Sequence, residues 1–178
     1  MVPNFKNIGE LFLRHPLSFV TCLLTFACYG SHLPGERDGI VNRKLNRHVD
    51  PFVGLSPQLA QAVRSAMNQT AYVIDLPRAK AILATMLLTC EFRGWHVDAI
   101  HVRTNHVHAV LEGQEGPERM LNDLKAYASR KLNVIGMGSA GGEEGHGSTR
   151  YLNDERSLAG AIRYVVEEQD DLIAFYQA

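Results

Sequence analysis

Two histidines separated by a single residue are the sharpest chemical feature of this chain. They are His106 and His108, in the stretch Asn105-His106-Val107-His108. In a β-strand, residues i and i+2 point to the same face, so the two imidazoles would lie side by side. Neighbouring imidazoles can bind one divalent cation and leave its other positions open for a substrate. The spacing predicts a metal site, with a pair of half-buried structural histidines as the alternative.

A tyrosine on the following predicted helix is a candidate for catalysis. The apolar stripe of this helix consists of Leu121, Leu124, Ala128 and Leu132. At 100° per residue, Tyr127 lies at the edge of this stripe, where its hydroxyl could reach over the neighbouring sheet. The alternative is that Tyr127 packs against the core, which is the common role of a tyrosine in this position.

Basic residues in three places are candidates for contacts with phosphates. The predicted tyrosine helix contributes Arg119, Lys125, Arg130 and Lys131; the loop after the first strand contributes Arg43, Lys44 and Arg47; and Arg150 lies near the last strand. A solvated charged surface is the alternative. The formal net charge of −1 argues against a large phosphate-binding surface, but not against a local one.

The elements that must position these residues follow from periodicity and from cap residues. A β-branched and aromatic run predicts a first strand over 19–29. Helices are predicted to begin at Pro57, near Pro77 with Asp75 as N-cap, and at Pro117. A last helix is predicted after Asp154, preceded by a short strand at 151–152.

A β-hairpin is predicted to carry the histidine pair, with residues 103–105 as its turn. In the first of the two hairpin strands, alternation places four residues on one face: Trp95, Val97, Ala99 and His101. The order of strands and helices predicts an α+β fold, with one mixed or antiparallel sheet and helices on one side.

The length of 178 residues is that of a single domain, expected over 1–178. Residues 1–16 are interpreted as a variable lead-in and the glycine-rich stretch 136–147 as a flexible linker. The apolar run 17–28 is shorter than the roughly 20 residues that cross a bilayer, so a strand is favoured over a membrane or signal segment. Three cysteines without a C-x-x-C pair are typical of buried thiols in a reducing, cytoplasmic environment.

Four stretches taken together resemble one protein family in one order. They are LTFACYGSHLPGERDGIVNR, RGWHVDAIHVRTNHVHAVLEG, PERMLNDLKAYASRKLN and HGSTRYLNDERSLAGAIRYVVEEQ. The family is that of the single-tyrosine HUH transposases, in particular the REP-associated tyrosine transposases of the IS-two-hundred-like group. The resemblance covers roughly residues 19–169, with His106-Val107-His108 matching the histidine–hydrophobic–histidine motif.

The resemblance implies a ferredoxin-like α+β fold with a central antiparallel sheet and a Mg²⁺ or Mn²⁺ ion on His106 and His108. It implies Tyr127 as the nucleophile that cleaves and rejoins single-stranded DNA, often beside a hairpin, through a 5′-phosphotyrosine. It also leaves open whether the tyrosine helix acts in its own chain or in a homodimer partner. Since Mn²⁺ tolerates imidazole ligands better than Mg²⁺, Mn²⁺ is expected to support activity well.

The sequence departs from the family at two positions. Some members carry a glutamine one turn after the tyrosine as a third metal ligand, and here Lys131 stands at that position after Tyr127. A charged lysine does not bind a cation, so water or an unidentified residue completes the shell. The family loop often reads GTWLPGD, whereas this chain has Gly30-Ser31-His32-Leu33-Pro34-Gly35-Glu36, without the tryptophan.

Four alternatives stay open at this point. A domesticated, non-catalytic protein on the same fold would bind hairpin DNA without forming an adduct. A replication-initiator or relaxase nuclease is commonly longer. A metal-dependent nucleotide phosphohydrolase would not need Tyr127, and a histidine-triad hydrolase would need a third alternating histidine where Val110 stands.

Overall fold

A computed structural model describes residues 19–31, 33, 35–36, 55–138, 147–167 and 174–178. The strands are β1 (Val20–Ala27), β2 (His96–Val102), β3 (His106–Gly113), β4 (Gly147–Tyr151) and β5 (Ala174–Gln177). The helices are α1 (Pro57–Ser65), α2 (Leu76–Arg93), α3 (Pro117–Val134) and α4 (Glu155–Val166). The lead-in and residues 139–146 of the expected linker lie outside the described residues.

The helices begin at or next to the residues that the sequence predicts. Asp75 accepts a hydrogen bond from the Arg78 amide at the start of α2, and Gly94 ends this helix in the left-handed conformation with φ 69°. At the start of α4, Asp154 and Ser157 form a capping box. Such side chains satisfy amides that have no partner within the helix, which fixes where the helix begins.

The five strands form one sheet in the order β4-β1-β3-β2-β5, and every neighbouring pair is antiparallel. The histidine strand β3 is central, with β1 on one side and β2 on the other. Residues 103–105 join β2 to β3, as predicted. The predicted α+β class with a central antiparallel sheet is therefore confirmed, while β5 was not predicted.

Helices cover both faces of the sheet, which corrects the prediction that they lie on one side. On one face, α2 and α3 pack on a large apolar core that includes Leu24, Ile100 and Leu111. On the other face, α4 packs on a smaller core built around Ala99 and Val110. Alternate residues of each strand point to opposite faces, so the sheet has two distinct environments.

A β-bulge in β2 changes which residues share a face. The register shifts between Val97 and Ala99, leaving Asp98 as the extra residue. Val97 packs against the α2 and α3 core, whereas Ala99 belongs to the α4 core. The prediction that Trp95, Val97, Ala99 and His101 line one face is thus wrong, because one inserted residue reverses the alternation beyond it.

The three cysteines are buried and free, as predicted. Burial raises the pKa of each of the Cys22, Cys28 and Cys90 thiols to about 12, with the Glu118 carboxylate adding to the effect at Cys22. Within the described ranges, no helix combines the length and the apolar character needed to cross a bilayer.

Candidate functional site

The two histidines lie on the α4 face of the sheet. His106 and His108 alternate with Val107, which is buried in the α2 and α3 core on the opposite face. Their ring centroids are 4.6 Å apart and the ring planes meet at 82°. The imidazoles are therefore neighbours on one strand face, as the i, i+2 spacing predicts.

Hydrogen bonds to both Nδ1 atoms orient the imidazoles. Nδ1 of His106 lies 2.6 Å from Oδ1 of Asn105, and Nδ1 of His108 lies 2.9 Å from Oγ1 of Thr25. Thr25 is the residue that pairs with His108 across β1 and β3, so the sheet register creates the second contact. Metal-binding histidines commonly use one ring nitrogen in such a bond, which orients the other for the cation. In both rings, Nε2 is thus the nitrogen that would bind a metal ion.

The candidate metal-binding group consists of His106 and His108. Among the residues that the structure describes, no set of three or more histidine, cysteine, aspartate or glutamate side chains could hold a metal ion. Two imidazoles fit a cation whose remaining ligands come from water or substrate oxygens. The third ligand that the sequence leaves open is not supplied by these residue types in the described part of the chain.

Tyr164, which the sequence analysis did not single out, is the tyrosine beside the histidines. It lies in the last turn of α4, and its ring contacts that of His108 edge to face, with centroids 5.2 Å apart and planes at 74°. About 38% of Tyr164 is exposed. The structure therefore brings His106, His108 and a partly exposed tyrosine together on one face.

Tyr127 lies on the other side of the sheet within the chain. Its neighbours Leu124 and Ala128 are part of the α2 and α3 core, which packs on the face opposite the histidines. The Arg130 guanidinium stacks over the Tyr127 ring at 4.5 Å from its centroid. The expectation that the Tyr127 hydroxyl reaches over the sheet to the histidine pair does not hold within one chain, because α3 packs on the wrong face.

A buried histidine fixes the position of α4 beside the site. His101 is fully buried and pairs with His108 across β2 and β3. Its Nδ1–H donates to the Val165 carbonyl at 3.0 Å, one residue after Tyr164. Burial lowers the pKa of His101, the bond to Val165 partly offsets this, and the Arg103 guanidinium lowers the pKa further. A neutral imidazole thus caps a carbonyl in the last turn of α4.

Arg103, which the sequence predicts only as a turn residue, adds a positive charge near the histidines. It is close enough to His101 to affect its pKa. Its amide donates to the His106 carbonyl at 2.9 Å, which closes the hairpin beside the histidine pair. The side chain is half-buried. The sequence signal was the position of Arg103 two residues after His101.

The predicted phosphate-binding residues are divided between the two faces. Arg119, Lys125, Arg130 and Lys131 lie on α3, on the side of the sheet away from the histidines. Arg150 is exposed on β4 and pairs with Leu23, which packs in the α4 core, so Arg150 lies on the histidine face. Arg43, Lys44 and Arg47 fall outside the described residues.

The comparisons with known proteins include a distant structural likeness. The sequence matches no protein-family model and no curated protein. A crystal structure of a protein provisionally named as a transposase, from Deinococcus radiodurans R1, is 13% identical and aligns with 88% of this chain and 95% of its own. The TM-score is 0.42. The α+β class therefore rests on the sheet and helices described above.

Proposed function

We propose that this protein is a transposase that cleaves and rejoins single-stranded DNA with the help of a divalent metal ion, and that Tyr164 is its nucleophile. The observation that carries the proposal is the contact between the Tyr164 ring and His108, one of two adjacent imidazoles on the same sheet face. The sequence resemblance to single-tyrosine HUH transposases supports the same chemistry. This proposal differs from the sequence-based hypothesis only in the nucleophile, which is Tyr164 instead of Tyr127.

The histidine pair would hold Mg²⁺ or Mn²⁺ through Nε2 of His106 and His108. The ion would supply positive charge at the scissile phosphate, where negative charge develops during displacement. Asn105 and Thr25 keep the rings in place through their bonds to Nδ1. The nitrogen ligands favour Mn²⁺ over Mg²⁺, which prefers an all-oxygen shell.

Tyr164 would attack phosphorus through its phenolic oxygen. The new bond joins this oxygen to phosphorus, the bond from phosphorus to the 3′ oxygen breaks, and the phenol proton is given up as the 3′ oxygen gains one. The products are a 5′-phosphotyrosine and a DNA strand with a free 3′-OH. Because the phosphotyrosine keeps an ester bond, a 3′-OH can reverse the attack and rejoin strands, which hydrolysis by water would prevent.

His101 and Arg103 would act around this reaction. The hydrogen bond from His101 to Val165 holds the turn of α4 that carries Tyr164. Arg103, whose positive charge lowers the pKa of the neighbouring His101, would bind a phosphate oxygen of the DNA. Both residues support a site in which chemistry takes place on the α4 face.

The experiment that tests this proposal compares the two candidate nucleophiles, Tyr164 and Tyr127. The protein is incubated with single-stranded DNA that carries a hairpin, in the presence of Mn²⁺, and the mixture is examined for an SDS-resistant protein–DNA adduct. Tyr164→Phe should abolish the adduct, and His108→Ala should do the same. Tyr127→Phe should leave the adduct unchanged, because Tyr127 lies on the opposite face.

Each other outcome has a definite meaning. Loss of the adduct in Tyr127→Phe but not in Tyr164→Phe would overturn the assignment and require α3 from a second copy of the chain. Cleavage without an adduct would indicate hydrolysis by a metal-dependent phosphohydrolase. Binding of hairpin DNA without cleavage or adduct would indicate a domesticated binding protein.

A further inference from the structure

The edge strand β5 carries an exposed aromatic residue beside the histidine site. Phe175 pairs with His101, and His101 pairs in turn with His108. Directly opposed residues of antiparallel strands lie on the same face, so Phe175 is on the α4 face of the sheet. Neighbouring strands are about 4.8 Å apart, which puts the backbone of Phe175 roughly 10 Å from that of His108.

In the described part of the chain, the Phe175 side chain is not packed in an apolar core. Its side chain is 49% exposed, and it belongs to neither apolar core there. The preceding residue, Ala174, does pack against the α2 and α3 core, so β5 is anchored while Phe175 projects from the other face. An exposed phenyl ring next to a reaction centre is suited to a flat apolar ligand.

We propose that Phe175 forms a base-binding subsite, on which a base of single-stranded DNA close to the scissile phosphate stacks. The inference rests on the proposed function and deepens it. The distance between Phe175 and His108 is comparable with the span from a phosphate to the base of an adjacent nucleotide.

Stacking on Phe175 gives the site a preference for single strands without a preference for sequence. Every base has a π face, so an aromatic platform accepts each of them, whereas in a duplex these faces are covered by neighbouring bases. A phenyl ring has no hydrogen-bonding group with which to read a base edge. Phe175 would therefore hold the strand in place while other contacts choose the target.

The next residue in the chain provides a matched control. Tyr176 is also aromatic, is 38% exposed, and pairs with Ile100, which lies in the core on the opposite face. Phe175→Ala and Tyr176→Ala thus remove neighbouring aromatic rings from opposite faces of the same strand. Loss of β5 pairing would affect both variants, whereas loss of the subsite affects only the first.

The experiment measures binding without cleavage. Fluorescence anisotropy without added metal gives the affinity for an oligothymidylate and for an abasic deoxyribose-phosphate oligomer of equal length and charge. Phe175→Ala should bind the oligothymidylate about ten-fold more weakly, in line with the loss of one base–aromatic stack. It should bind the abasic oligomer as the unchanged protein does, while Phe175→Trp should restore oligothymidylate binding.

Three results would overturn the subsite. They are unchanged oligothymidylate binding in Phe175→Ala, an equal loss on the abasic oligomer, and an equal loss in Tyr176→Ala. Failure of the unchanged protein to discriminate between the two oligomers would overturn it as well. The adduct assay on hairpin DNA reports separately on the proposed function, so an active enzyme with no stacking at Phe175 would be recognised.

Discussion

At the scale of single residues, the histidine pair depends on what holds its rings. Thr25 contacts Nδ1 of His108 only because β1 and β3 pair in one register. Asn105 contacts Nδ1 of His106 from the preceding position in the chain. One orienting contact is thus local in sequence and the other spans the sheet.

Replacing Thr25 should weaken metal binding more than it weakens the fold. Thr25→Val removes the hydroxyl beside His108 while keeping a β-branched residue in the strand. We expect Mn²⁺ affinity to fall about 10- to 100-fold, the usual cost of losing an orienting contact to a metal ligand. Isothermal titration calorimetry with Mn²⁺ measures the change.

Thr21→Val is the control for this variant. Thr21 lies on the same face of β1, and its hydroxyl donates to the Glu112 carboxylate at 3.3 Å, away from the histidine pair. The Mn²⁺ affinity of Thr21→Val should match that of the unchanged protein. Equal losses in the two variants would mean that Thr25 acts on the fold of β1 rather than on His108.

At the scale of elements, the bulge in β2 gives the site its shape and has an electrostatic cost. The shift between Val97 and Ala99 brings His101 to the α4 face, where it holds the last turn of α4. It also places Asp98 in a buried position, only 7% exposed. Burial raises the pKa of Asp98 to about 6, the His96 imidazole opposes this, and Glu112 adds to it.

Asp98 should make the protein less stable as the pH rises. Its pKa in the folded chain lies above its ordinary value of 3.8, so its contribution is fully present below that value and is lost as the pH rises through about 6. Asp98→Asn should therefore increase the free energy of unfolding at pH 8 by on the order of 2–3 kcal/mol, the equivalent of a two-unit shift. Urea denaturation at pH 5 and pH 8 tests this. The larger gain is expected at pH 8, because pH 5 lies between the two pKa values and part of the cost is already present there.

A surface carboxylate serves as the comparison for Asp98. Glu91→Gln removes an exposed charge from α2 and should leave the difference between pH 5 and pH 8 unchanged. A similar pH dependence in Asp98→Asn and in the unchanged protein would contradict the proposed cost of burying Asp98.

At the scale of the whole molecule, the sheet separates the larger core from the candidate site. The α2 and α3 side holds the larger core, whereas the α4 side holds the histidines, Tyr164 and Phe175. Of the five predicted phosphate-binding cations that the structure describes, four lie on α3, on the side of the larger core. The chain as a whole carries a formal charge of only −1. Among the described residues, a single strand bound on the α4 face would therefore contact few cations.

The affinity for single-stranded DNA should depend only weakly on salt. Each phosphate neutralised by a cation contributes a slope of about −0.7 to a plot of log affinity against log salt concentration for single strands. With about three such contacts, the slope should be close to −2. Anisotropy titrations at several NaCl concentrations measure it, and a slope of about −5 or steeper would show that the α3 cations also bind the strand.

Much of the fold and half of the site follow from local sequence patterns. The alternation in β3 places His106 beside His108, and the caps at Asp75, Gly94 and Asp154 set the helix boundaries. These features depend on backbone geometry over a few residues, so the sequence determines them directly. The bulge at Asp98 and the strand β5 were not predicted, because both depend on pairing with distant strands.

Only the tertiary structure decided which tyrosine lies beside the histidines. Tyr127 follows buried Leu124 by three residues and precedes buried Ala128, and Tyr164 has the same relation to Ala161 and Val165. Helical periodicity shows which side of a helix is buried but not which face of a sheet it covers. The packing of α3 on one face and α4 on the other therefore separates two tyrosines that local sequence leaves equivalent.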